Sequence, residues 1–188
     1  MNRKRFYDLI RSPLFGGTMT QSQVDGCEHL LDYAEHHTPP LDLRHVAYIL
    51  ATALHETART MEPIEEYGHG AGYPYGVPDP KTGETYYGRG FVMITWKKNY
   101  AFQEAKLGRP LVEYPDCALE PDCAAAILYE GMLDGDFTGV GLGDYIDAAQ
   151  CNYVDARRVV NGLDCAEQIA GYASVFQEAL VQATCPCL

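Results

Sequence analysis

Tyr86-Tyr87-Gly88-Arg89-Gly90-Phe91-Val92-Met93-Ile94-Thr95-Trp96-Lys97-Lys98-Asn99-Tyr100 sets two aromatics, an arginine between glycines, a short apolar run and a polar helix start in immediate succession. Glycine on both sides of Arg89 lets the backbone approach a ligand or take positive φ, and Phe91-Val92-Met93-Ile94 predicts a short extended strand. Thr95 is then expected to cap a helix carrying Trp96, Asn99, Tyr100 and Ala105, stopped by Gly108 and Pro110. Asn99 lies one turn after Thr95, so a hydroxyl and an amide would aim at the same place. That pairing suits holding a water or a polar ligand group.

Upstream, Leu43, Val46, Ala47, Leu50 and Leu54 follow helical spacing from Asp42, and Ile49 and Ala53 thicken the stripe into a helix buried on most sides. Glu56 falls on the side of Ile49 and Ala53, near the C-terminal end. Apolar neighbours and the negative end of the helix dipole both disfavour a charged carboxylate there. A general acid working near neutral pH needs that condition. The competing reading is an ordinary ion pair with Arg59 or Arg44. His55-Glu56-Thr57-Ala58-Arg59 does not make a zinc-protease motif, because Arg59 stands where the second histidine is required. The remaining histidines show no ligand spacing, so neither a metal nor an organic cofactor is expected.

Residues 61 to 85 form a long Gly-, Pro- and Tyr-rich loop, and Tyr67, Tyr73 and Tyr75 favour a binding lid over disorder. A second carboxylate belongs here, with Glu65, Glu66 and Glu84 all available. Elsewhere the pattern is helical. A short N-terminal helix precedes Gly16-Gly17, and Thr20-Gln21-Ser22-Gln23 has capping-box spacing ahead of a helix to about His36. Pro121 opens another helix, after which Gly131, Gly135, Gly139, Gly141 and Gly143 are expected to break the chain. One or two short helices over 144–160 end at Asn161-Gly162, and Ala166 to Leu180 reads as a C-terminal helix. The expected fold is mainly α in one domain, 1–188, with a small extended segment near 86–94 beside a cleft.

A formal net charge of −12, from 14 Lys and Arg against 26 Asp and Glu, argues against a nucleic-acid partner. The apolar runs are too short for a membrane span, and no apolar segment follows the charged N-terminus, so a soluble, cytoplasmically synthesised monomer is expected. Seven cysteines, an odd number without an export signal, do not form a disulfide framework and are expected mostly as small buried hydrophobes. Cys185-Pro186-Cys187 lacks redox or zinc spacing.

Residues 86–100 resemble the signature of family 19 glycoside hydrolases, the plant-type chitinases and their phage lysin relatives. His55-Glu56-Thr57 looks like the segment carrying that family's general acid. Val160-Asn161-Gly162, with Ala166-Glu167-Gln168-Ile169-Ala170-Gly171-Tyr172, is similar to its C-terminal segment. The resemblance covers almost the whole chain and is strongest to the compact phage and prophage members. It implies a lysozyme-like fold and inverting hydrolysis of a β-1,4 link by two carboxylates. Glu56 would be the acid, and Glu66 matches the base better than Glu65 or Glu84. Thr95 would help hold the attacking water, with Asn99 and Asn161 as substrate-binding residues, and Tyr87, Arg89 and Trp96 lining or bracing the cleft. The chain departs from the family at Met93, usually glutamine, and Gln168, usually arginine. The loop between the carboxylates is also shorter than in the plant enzymes.

The resemblance thus implies an enzyme acting on a polysaccharide. The leading expectation is an endolysin cleaving peptidoglycan, reaching the wall through a holin-like route. The alternatives are a chitinase and a catalytically silent carbohydrate-binding relative.

Overall fold

The computed structural model describes residues 1–185 and contains six α-helices and a two-stranded sheet. In chain order these are α1 (Arg3–Phe15), α2 (Gln21–His36), α3 (Leu43–Glu56), β1 (Ile64–Glu65), β2 (Arg89–Gly90), α4 (Lys97–Leu107), α5 (Pro121–Asp134) and α6 (Ala166–Thr184). Short 3-10 turns join them, among them Pro74–Gly76, Leu142–Asp144 and Asp155–Val159. The mainly α fold expected from periodicity is what forms.

Helix ends follow local chemistry. Asn2 and Asp42 cap α1 and α3 by accepting from the amides of Arg5 and Arg44, and Thr20 with Gln23 closes a reciprocal capping box on α2. Gly16, Gly108 and Gly135 end α1, α4 and α5 in the left-handed conformation, which glycine takes without a Cβ penalty. α3 is the centre of the molecule. Every residue from Val46 to Leu54 is buried, so the helix has no solvent face along its middle. α6 packs along it and α1 packs on α6, while α2 meets α5 on another side. Each fully buried Leu or Ile contributes roughly 1.5–3 kcal/mol, so this enclosure fixes where α3 ends and hence where Glu56 stands.

The signature segment differs from its expected form. Strand pairing is confined to Arg89–Gly90, which runs antiparallel to Ile64–Glu65. Phe91 to Met93 make a tight turn that returns Ile94 to bridge Arg89. Gly90 (φ 91°) and Met93 (φ 56°) bend the chain too sharply for a ladder, and Phe91 and Ile94 are buried in the core instead. Thr95 does not cap α4: its hydroxyl donates to the Met93 carbonyl, 2.8 Å, and Trp96 occupies the cap position without a side-chain bond. Gly131 lies inside α5 rather than breaking it, because a Cβ there would lie 2.1 Å from the Phe137 ring. Of the six cysteines in the described region, all free, only Cys27 and Cys123 are buried, against the expectation for most. Cys187 lies outside the described residues.

The 61–85 loop has structure of its own. β1 opens it, Tyr73 and Tyr75 stack with centroids 5.2 Å apart, and a turn over Asp79–Glu84 closes on its own backbone. Asp79 is tied to Lys97 Nζ at 2.8 Å and accepts from the amides of Lys81 and Thr82. The Lys97 ammonium, then the Lys81 amide, hold its carboxyl at about 2. Because this folded-state value is depressed, the tie is complete above the ordinary carboxylate range and lost only as pH falls through about 2. Lys97→Met should move the Asp79 titration back toward 3.8, read from the side-chain carboxyl carbon shift by NMR.

Gly26 tests the seat of the loop's first residues. A Cβ there would lie 1.7 Å from the Met61 carbonyl oxygen, a backbone atom that cannot swing away. Gly26→Ala should cost at least about 2 kcal/mol despite alanine's better helix propensity. The expected readout is a lower urea midpoint at unchanged m-value.

Candidate active site

Glu56 is the last residue of α3 and keeps about a fifth of its side chain exposed (20%). Its partner is neither Arg59 nor Arg44. Arg157, from the 3-10 turn Asp155–Val159, donates from Nη1 to Glu56 Oε1 at 2.6 Å, and is only 3% exposed. Arg157 Nε is spent on the Asp164 carbonyl at 3.2 Å, which fixes the guanidinium plane. Arg59 instead bonds the Tyr172 hydroxyl and the Leu14 carbonyl, and Arg44 folds onto Asp42. Among the described residues Glu56 Oε2 takes no hydrogen bond, so one carboxyl oxygen is anchored and the other is open.

Tyr48, two turns earlier on α3, lies close enough to feel both charges of this pair. Burial pushes its hydroxyl up, and that hydroxyl has no partner among the described residues.

Glu66 follows β1 and is anchored differently. Its Oε2 accepts from the Gly88 amide at 3.0 Å and its Oε1 from the Tyr75 hydroxyl at 2.9 Å, while its own amide donates to the Gly88 carbonyl at 2.7 Å. Burial, then the bond to Glu66, raises the Tyr75 hydroxyl above its ordinary value. A Cβ added at Gly88 would lie 3.3 Å from Glu66 Cβ, 3.3 Å from Met93 Cβ and 3.4 Å from Thr95 Oγ1. Three side chains that sequence alone could not bring together therefore meet across one glycine.

Of the other two loop carboxylates, Glu65 projects from the opposite strand face, as alternation requires. It accepts from the Tyr87 hydroxyl at 2.7 Å and lies 3.4 Å from His69 Nε2. Burial, then this bond, pushes Tyr87 to about 12. Glu84 belongs to the turn closed on Asp79.

Thr95 and Asn99 stand together as expected, with Asn99 Nδ2 donating to the Thr95 carbonyl at 2.7 Å. Both line a pocket of about 420 Å³ with Met93, Phe102, Phe137 and Val160. Trp96 is half exposed and meets Tyr75 edge-on at 5.1 Å. Asn161 is exposed, its Oδ1 taken by the Gly162 amide. Of lining or bracing, Arg89 takes the second. It is 3% exposed, its guanidinium lies 3.6 Å from the Tyr87 ring centroid, and its donors go to Asp116, Thr85 and Tyr100. With Nε and Nη1 bonded internally and the side chain buried, it braces the wall.

Backbone strain gathers here. Among the described residues seven non-glycines have positive φ, and five of them are Ala58, Arg59 and Met61, just after Glu56, and Met93 and Trp96, flanking Thr95. Such conformations cost of order 1 kcal/mol or more and persist at functional sites. Nothing local to Arg157 in the sequence marks it, and the family pattern places an arginine at position 168 instead. Gln168 is exposed at the start of α6, and the cation on Glu56 comes from the preceding turn. Among the described residues no three His, Cys, Asp or Glu side chains form a metal-holding group, and no helix is long and apolar enough to cross a membrane.

Arg157→Ala would leave the Glu56 carboxylate without its cation. A partly buried pair broken from one side should lose roughly 3 kcal/mol, measured by denaturant unfolding, and Arg157→Lys should recover part of it.

No protein-family model and no curated protein matches the sequence. The structure does match solved ones. Chitinase C from Streptomyces griseus HUT6037 is similar over 98% of this chain and 78% of its own, at TM-score 0.65 and 19% identity. A mutant of chitinase C matches over 98% and 94% at TM-score 0.59 and 19% identity. A bacterial family 19 chitinase matches over 95% and 93% at TM-score 0.55 and 20% identity. The chain therefore has the mainly α, lysozyme-like fold found in family 19 chitinases.

Proposed function

We propose that this chain is a glycoside hydrolase that cleaves β-1,4 links of bacterial peptidoglycan by an inverting two-carboxylate mechanism. The observation that carries the reading is the unequal anchoring of Glu56 and Glu66. Glu56 Oε1 is pinned by Arg157 and Oε2 is open, so in the protonated acid Oε2 is the oxygen that carries the proton and hands it to the glycosidic oxygen, leaving a carboxylate that Arg157 stabilises. Glu66 is fixed through both oxygens to rigid partners, and each oxygen keeps a second lone pair for a water. Thr95 Oγ1, whose proton is committed to Met93, accepts from that same water, and Glu66 takes up the water's proton as it attacks the far face of the sugar. Asn99 keeps its amide oxygen for the substrate, and Trp96 supplies an aromatic wall, while Tyr87, buried between His69 and Arg89, braces the cleft from behind. No metal or organic cofactor enters the scheme.

The shared fold supports glycosidase chemistry, and the resemblance to compact phage members supports the wall glycan as substrate and lysis as the role. The chitinase reading has a specific support in its favour, since all three solved structures above are described as chitinases. Product analysis separates the two. Wild type, Glu56→Gln and Glu66→Gln are incubated with purified peptidoglycan and with chitin oligomers, and products are read by mass spectrometry. Muropeptides with a new reducing sugar end from wild type are expected, with turnover reduced at least about 10³-fold in either variant; Glu66→Gln should nearly keep its melting temperature, and Glu56→Gln, which leaves Arg157 a hydrogen bond but no counter-charge, should stay folded at a lower one. Wild-type-like turnover by well-folded Glu56→Gln would remove the mechanism. Cleavage of chitin alone would move the substrate, and no product from either polymer would indicate a silent binding protein.

A further inference from the structure

We propose that the pocket along α4 is a specificity element that binds a carboxylate-bearing substituent of the glycan through Lys98. The proposal deepens the wall-glycan reading and rests on it. Thr95, Asn99 and Gln103 recur at intervals of four along one row of the pocket, with Lys98 and Phe102 in the adjacent row. The first row begins beside Glu66, where Thr95 meets Gly88, and runs inward to Gln103. A sugar held at Thr95 and Asn99 therefore directs a substituent along α4.

Two features there favour an anion. Neighbouring lysines are neutralised, Lys97 by Asp79 and Lys106 by Asp134 and Asp136. Lys98 is exposed and makes no ion pair or hydrogen bond among the described residues, in a chain of net charge −12. Lys98 is the second residue of α4, at the positive end of its dipole, where Trp96 at the cap position makes no side-chain bond.

A third feature favours an amide. Gln103 is 2% exposed and donates from Nε2 to Asp136 Oδ2 at 2.9 Å. Asp136 also takes Lys106 Nζ at 2.7 Å and can only accept, so the amide cannot turn over, and Gln103 Oε1 is left without a partner among the described residues. An incoming N–H that parts the side chains covering this oxygen would satisfy it. A peptide-substituted amino sugar offers carboxylates and secondary amides together. Chitin offers the amide but no anion.

The test compares kcat/KM on three substrates: glycan strands carrying stem peptides, the same strands after an amidase has removed the peptides but left the lactyl carboxylate, and neutral chitin oligomers. Lys98→Glu and Lys98→Gln are surface changes, and a thermal melt confirms their fold. In Lys98→Glu the ratio of activity on peptide-bearing strands to that on chitin oligomers should fall about tenfold or more, mainly through KM. Lys98→Gln should fall less. An equal fall on the amidase-treated strands assigns the anion to the lactyl group, and a fall confined to intact strands assigns it to the peptide. An unchanged ratio overturns the proposal and leaves the wall-glycan reading standing. Failure of wild type on both wall substrates overturns that reading and the proposal with it.

Discussion

The constraint on which the rest of the structure depends is the enclosure of α3. A helix whose residues from Val46 to Leu54 are all buried must be surrounded, and α6, α2 and α5 are the elements that contact it. The polar end of such a helix can only emerge at an edge of the core. Glu56 is that end. Its carboxyl is delivered by a rigid element whose position is set by many apolar contacts, and a deep helix terminus is a precise place from which to present one charged group.

Enclosure also explains what else must be near. A carboxylate at the C-terminal end of a buried helix needs a counter-charge or it would be expensive to keep. That charge comes from Arg157, itself buried and fixed through Nε to the Asp164 carbonyl. The pair joins α3 to the turn leading into Asn161 and α6. The loop side of the site has no such core behind it, and is stiffened by local means: the short β1–β2 pairing, the Asp79–Lys97 tie and the Arg89–Tyr87 stack. One wall is thus held by packing and the other by polar contacts.

Much of this was legible in the sequence, and the limits have physical causes. The helices were readable because Thr20-Gln23, Asp42, Gly108 and Pro121 are local signals with local consequences. Glu56 was readable because it completes a periodic stripe. The strand at Phe91–Ile94 was misread because a short apolar run looks the same whether it extends or turns into a core. Positive φ at Met93 decided for the turn, and methionine gives no warning of it. Thr95 was placed correctly beside Asn99 but given the wrong bond, since a hydroxyl can satisfy a cap or the carbonyl two residues back equally cheaply. Arg157 was invisible because its contact with Glu56 spans 101 positions of sequence. Whether Arg89 lines or braces the cleft was equally hidden: only the folded Tyr87–Tyr100 environment shows its Nε and Nη1 already used.

Strain supplies the last connection between sequence and site. Ala58, Arg59 and Met61 are left-handed within five residues of Glu56, and Met93 and Trp96 are left-handed on either side of Thr95. None is glycine, so local preference did not choose these conformations, and surrounding structure imposes them. The first group ends at Met61, whose carbonyl packs against Gly26 of α2. The second includes Met93, which lies with Glu66 and Thr95 around Gly88. Each strained turn therefore borders a candidate catalytic side chain and packs against a glycine. Gly26 and Gly88 carry no chemistry themselves, yet a Cβ at Gly26 would collide with the Met61 carbonyl and one at Gly88 would crowd Glu66, Met93 and Thr95, so the absence of both is what lets these turns, and the side chains beside them, pack as they do.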